Sequence, residues 1–179
     1  MLDIIEQIIK FYLQYKKAPD VSDLKLEDTS LMEEKKSLFI TLYKNGEVAG
    51  SSWCINGNKR PVVSELIDNT VYALSKDERF EALELKDIEQ IKIRLDIIES
   101  REVLDDKQNT LEKLDPSKSG ILAIKKDYEN IALILPNIHP ILLTGEDFKD
   151  VLQKKLNEKK FQKEEYLLFE IKTQVHRNF

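Results

Sequence analysis

The side chains that could do chemistry in this 179-residue chain are few, and the stretch Phe39 to Cys54, FITLYKNGEVAGSSWC, holds a dense group of them. Ser51 and Ser52 follow Gly50. Their hydroxyls can orient a ligand by hydrogen bonds, or attack one if a base activates them. The corner Asp77-Glu78-Arg79-Phe80 offers two carboxylates that could move protons. His139, in Pro136-Asn137-Ile138-His139-Pro140, reads either as a base or ligand on a rigid turn or as a solvated loop histidine. Gly50, Ser51, Ser52, Arg79 and His139 are therefore the ligand-binding candidates, and no catalytic residue is assigned.

Other constellations are missing. The sequence has no G-x-S-x-G, P-loop, G-x-G-x-x-G or H-E-x-x-H motif. His139 and His176 lie far apart, and one cysteine cannot build a structural zinc site of the usual form. The expectation is no metal and no cofactor. Cys54 has no cation beside it in sequence and reads as an inert, small apolar residue. Lys154, Lys155, Lys159, Lys160 and Lys163 are interleaved with Glu158, Glu164 and Glu165, which reads as a solvated helix end.

The elements that must position these residues follow from periodicity. Leu2, Ile5, Ile8, Ile9, Tyr12 and Leu13 predict an amphipathic helix over 2–16, stopped near Pro19. Leu38–Tyr43 and Val48–Ile55 predict a hairpin across Asn45-Gly46. A helix follows Pro61, with Val62, Val63, Leu66, Ile67, Val71 and Leu74 on its apolar face. Ile91, Ile93, Leu95 and Ile97 alternate with Lys92, Arg94 and Asp96 as a half-buried strand. A short helix near 107–114, a hairpin over 120–135 and a helix N-capped by Thr144 come next. A closing strand spans 166–175. Strands that arrive as hairpins predict an α+β fold with antiparallel sheet.

Composition sets outer bounds. Hydrophobic residues are 41% and charged residues 34%, as in a globular domain with a charged surface. A net charge of -5 opposes non-specific nucleic-acid binding. No apolar run is long enough to span a bilayer, and the N-terminus lacks the basic start of a signal peptide. The single cysteine suits a reducing compartment, so a cytoplasmic location is expected.

The ordered series of these motifs resembles the AMMECR domain family, named for a chromosomal region linked to Alport syndrome. A family segment resembling FVTLKKNGELRGCIG is similar to FITLYKNGEVAGSSW here. The family's DPRF, followed by an L-x-x-x-E-L-x-x-L-x-I-x-I-x-V run, is similar to Asp77–Phe80 and then Leu83, Leu85, Ile88, Ile91, Ile93 and Leu95. Segments resembling DGLII and GLLLPQV match 119–124 and 131–138, and the closing helix and strand match 148–156 and 166–175. Gly50 is kept, but the family's arginine, cysteine, isoleucine and second glycine are replaced by Ala49, Ser51, Ser52 and Trp53. On a regular strand Cys54 cannot stand in for the residue at 51, because positions three apart face opposite sides.

The resemblance implies one domain over 1–179 with two unequal lobes. The larger lobe would comprise about 1–56 and 119–179, with an antiparallel sheet and flanking helices. The smaller α/β lobe would comprise about 57–118, with the signature segment near an inter-lobe cleft. Family association suggests a Memo-like or radical-SAM protein as partner. Three functions compete: a non-catalytic binding or adaptor domain; an enzyme using Ser51 or Ser52 with the Asp77/Glu78 corner; and a nucleic-acid-associated factor, which the acidic balance disfavours.

Overall fold

A computed structural model describes residues 1–57, 59–105, 110–138 and 142–179. Six strands form one sheet: β1 (Leu38–Lys44), β2 (Glu47–Cys54), β3 (Ile91–Val103), β4 (Gly120–Lys125), β5 (Ile131–Ile134) and β6 (Tyr166–Arg177). Their order is β2-β1-β3-β6-β4-β5, so β2 is an edge strand. Three α-helices accompany them: α1 (Leu2–Tyr15), α2 (Val62–Ser75) and α3 (Asp147–Lys155). The fold is α+β and the sheet antiparallel, as the hairpins predict. No helix of the described residues is long and apolar enough to cross a membrane.

The chain divides into two compact units, residues 1–97 with 175–179, and residues 98–174. Residues 59–97 group with the N-terminal hairpin. The reason is burial: α2 packs on β1 and β2, and the first half of β3 pairs with β1.

In the first unit the hairpin turns where Asn45-Gly46 predicts. Asn45 and Gly46 have φ of 55° and 83°, the left-handed pair of a two-residue turn whose twist matches the strands. Leu42 pairs with Gly50 but Tyr43 with Val48, so Ala49 is the extra residue of a β-bulge. Leu38, Ile40 and Leu42 lie on one face of β1, with Ile93, Leu95 and Ile97 opposite them on β3. Together with Ile4, Ile5, Ile8 and Ile9 of α1 and Val63 and Leu66 of α2 they form one core. Each fully buried aliphatic side chain contributes about 1.5–3 kcal/mol. α1 ends at Tyr15, where Lys16 turns left-handed at φ 55° and donates its N–H to the Tyr12 carbonyl.

The opposite face of β3 departs from the sequence reading. Arg94 and Asp96 are 1% and 0% exposed instead of solvated. They form a fork in which Arg94 Nε donates to Asp96 Oδ2 at 2.7 Å and Nη2 to Oδ1 at 2.8 Å. Paired, hydrogen-bonded charges can be buried where single ones cannot, and simple alternation does not anticipate that.

The second unit has its own core around Phe148 and Leu152 of α3, packed with Ile121, Ala123, Ile134, Tyr166 and Leu168. Thr144 is not the N-cap of α3. The Asp147 carboxylate reaches back instead, accepting from Leu143 N, Thr144 N and Thr144 Oγ1 at 2.8–3.0 Å. The helix expected near 107–114 is a single 3-10 turn, Leu111–Lys113, among the described residues.

Candidate functional site

Alternation along β2 places Gly50, Ser52 and Cys54 on the face beneath α2. On α2 the facing stripe is Ala73, Asn69 and Glu65, spaced by four. Two strand residues advance about 6.8 Å and four helical residues about 6.0 Å, so the rows stay in step over this length. A Cβ at Gly50 would collide with the Ala73 carbonyl oxygen, so glycine sets the closeness of helix and strand. Ser52 Oγ donates to Asn69 Oδ1 at 2.7 Å. Asn69 Nδ2 donates to the Glu65 carbonyl at 2.8 Å and to Glu65 Oε2 at 3.2 Å.

Glu65, only 7% exposed, ends this stripe. Its Oε1 accepts from Arg60 Nε at 3.1 Å, and Arg60 also reaches Asp68 at 2.6 Å. The Cys54 thiol is pushed up to about 11, first by burial and then by its hydrogen bond to Glu65 and that carboxylate's charge. A thiol held protonated is neither nucleophile nor metal ligand at neutral pH.

Ser51 belongs to a different neighbourhood. Its N–H points away from β1 to the outer edge of the sheet, where Asp77 Oδ2 accepts it at 2.9 Å. Its hydroxyl accepts from Arg79 Nη2 at 2.7 Å. Arg79 also grips Asp77 side-on, Nε to Oδ1 at 2.8 Å and Nη2 to Oδ2 at 2.7 Å. The guanidinium lies 5.2 Å from the centre of the Phe80 ring. Burial pushes the Asp77 carboxyl up, but hydrogen bonds from Arg79 and Ser51 and the Arg79 charge outweigh it and hold the group below its ordinary range. Thr41 pairs with Ser51 across the hairpin and with Arg94 on its other side, continuing a polar row across three strands.

Of the candidates, the fold brings Ser51 and Arg79 into direct contact. It separates Ser52, which lies under α2, and uses Gly50 as packing space. His139 lies outside the described residues. Asp77 joins the clasp, while Glu78 is exposed. The bulge at Ala49 precedes Gly50, so Ser51 and Cys54 point to opposite faces. Sequence reasoning missed Glu65 and Asn69. Their signal was a polar pair four apart, the spacing that puts two side chains on one side of a helix. Among the described residues no three His, Cys, Asp or Glu side chains group as metal ligands would.

The clasp is chemically closed. Arg79 is donor-only, so it cannot take a proton from Ser51. Asp77 accepts from Ser51 N and from Arg79 N, Nε and Nη2, and lies below the range in which a carboxylate works as a general base near neutral pH. What remains open is surface. The Arg79 side chain is 60% exposed, and Trp53, two residues beyond Ser51 on the edge strand, is 38% exposed.

The profile of the AMMECR1 family matches residues 2–176, and the chain belongs to that family. A protein of Thermotoga maritima is 26% identical over 136 residues, covering 75% of this chain and 74% of its own length. A protein of Methanosarcina barkeri is 25% identical over 141 residues, covering 76% and 67%. The crystal structure of an uncharacterised protein from Pyrococcus horikoshii superposes with a TM-score of 0.81 at 17% identity, covering 97% of this chain and 87% of that one, a likeness of fold.

Proposed function

We propose that this member of the AMMECR1 family is a non-catalytic binding module, and that a protein partner engages the outer edge of β2 around Trp53, Ser51 and Arg79. The observation that carries this reading is the state of Ser51: its hydroxyl accepts from a guanidinium, and the neighbouring Asp77 carboxylate is already taken by that guanidinium and by the Ser51 N–H. Exposed tryptophan and arginine are the side chains that most often anchor protein interfaces. The clasp holds Arg79 in one orientation, which lowers the entropy lost on binding. Residues 51 and 53 share one parity on the edge strand, so the backbone groups of Trp53 also face outward, where an extended partner segment can pair with them. The family's association with Memo-like and radical-SAM proteins makes these the partners to try first.

The enzyme reading is tested by incubating the protein with a fluorophosphonate serine probe and measuring intact mass. The binding reading expects no adduct under conditions that saturate a serine hydrolase. An adduct that disappears in Ser51→Ala would overturn it. Nucleic acid is less well supported, because the lysines of 154–163 stand among Glu158, Glu164 and Glu165, and Glu158 is itself paired with Lys125 at 3.0 Å.

A further inference from the structure

β2 is an edge strand, and an unpaired edge invites a strand of another molecule. The backbone groups of Ser51 and Trp53 point away from β1, so a further strand would join through them. They are also self-complementary. In an antiparallel ladder between two copies, centred on Ser52, Ser51 of each copy would stand opposite Trp53 of the other and exchange two hydrogen bonds with it.

Part of that ladder is already filled. Asp77 Oδ2 accepts from Ser51 N at 2.9 Å, where the carbonyl of a neighbouring strand would accept. Asp77 is 8% exposed, and its backbone is anchored on both sides. Its N–H donates to the Tyr72 carbonyl at 3.2 Å, and its own carbonyl accepts from Phe80 N at 3.0 Å. Arg79 closes over the junction, donating from Nη2 to Asp77 and to Ser51 Oγ, each at 2.7 Å. The bulge at Ala49 bends the strand just before this point. The Trp53 N–H meets no such acceptor among the described residues.

We infer that Asp77 is a strand stop: its carboxylate takes the Ser51 N–H and so denies the outer edge of β2 to a second copy of this chain. The stop works through a hydrogen-bonding position filled by a buried group, not through surface charge that solvent would screen. It acts on the same edge as the proposed partner site but needs no partner, and it leaves Trp53 as the open end of that edge.

The test combines amide hydrogen exchange by NMR with sedimentation velocity over a range of concentrations, on the full chain alone. In wild type, after correction for intrinsic rates, the Ser51 amide should exchange about ten- to a hundredfold more slowly than that of Trp53, the effect of a hydrogen bond to a charged acceptor. Asp77→Ala should associate with rising concentration where wild type does not, and its Trp53 amide should become protected as it does. Adding Trp53→Pro removes the second outward N–H without touching the bonds to β1, and should abolish that association. If Asp77→Ala does not fold, the wild-type exchange ratio decides alone. Equal exchange at Ser51 and Trp53 in wild type, a folded Asp77→Ala that associates no more than wild type, or association that survives Trp53→Pro would overturn the inference.

Discussion

The Ser51 hydroxyl is bound by Arg79, 28 residues further along the chain, through a 2.7 Å hydrogen bond in which the guanidinium is the donor. That one contact fixes the hydroxyl of a serine on the edge strand in one orientation. It also couples the hairpin to the turn after α2, because the same guanidinium grips Asp77, and Asp77 takes the Ser51 N–H.

Removing Asp77 therefore breaks the hydrogen bonds from Ser51 N and from Arg79 N, Nε and Nη2 at once. Asp77→Ala should lower stability by about 1–3 kcal/mol, the effect of leaving a buried amide donor unsatisfied. The urea midpoint should fall with an unchanged slope. Because the folded carboxyl titrates below its ordinary value, its contribution is present above the unfolded pKa and is lost as pH falls through the folded one. The deficit of Asp77→Ala against wild type should thus shrink in acid.

Two glycines of the hairpin should fail for different reasons. Gly46 has open space around it but a φ of 83°, so Gly46→Val should cost about 1–2 kcal/mol of backbone strain alone. Gly50 is sterically closed by the Ala73 carbonyl, so Gly50→Ala must lift α2 from the sheet and should cost about 3 kcal/mol. Denaturation of both variants checks the order, with Gly50→Ala the worse.

Cys54 should label with iodoacetamide far more slowly than free cysteine at neutral pH, since its thiol is raised to about 11. Glu65→Gln removes the charge that favours the protonated form. The pH–rate profile of labelling should then move to lower pH. An unchanged profile would mean that burial alone sets the shift.

In the second unit, Glu112 is held at about 2, chiefly by the hydrogen bond from Lys149, which it meets at 2.9 Å. The unfolded value is the ordinary 4.5. The stabilisation is complete above 4.5 and erodes as pH falls towards 2. Lys149→Met should raise the midpoint of acid unfolding, followed by circular dichroism.

The hairpin was legible because Asn-Gly and strict alternation act locally, and α1 was legible because its isoleucines recur at helical spacing. The clasp was half legible. Ser51 and Arg79 stood out by type, but their contact depends on how α2 returns the chain to the edge of β2, which is tertiary information. Glu65 and Asn69 were hidden because charge inside a helix reads as surface unless its partners on β2 are known. Arg94 and Asp96 were read as solvated for the same reason: alternation assigns a face to each residue but not what covers it.

If a partner is held at the edge of β2, position 53 must lie against it. The direct measurement is site-specific photo-cross-linking in cells, with benzoylphenylalanine replacing Trp53, compared with the same probe at Leu143, which is 80% exposed in the second unit. A discrete adduct is expected from position 53 that is strongly reduced by Arg79→Ala, with none of that mass from position 143. Equal adducts from both positions, or an adduct at 53 indifferent to Arg79→Ala, would contradict it.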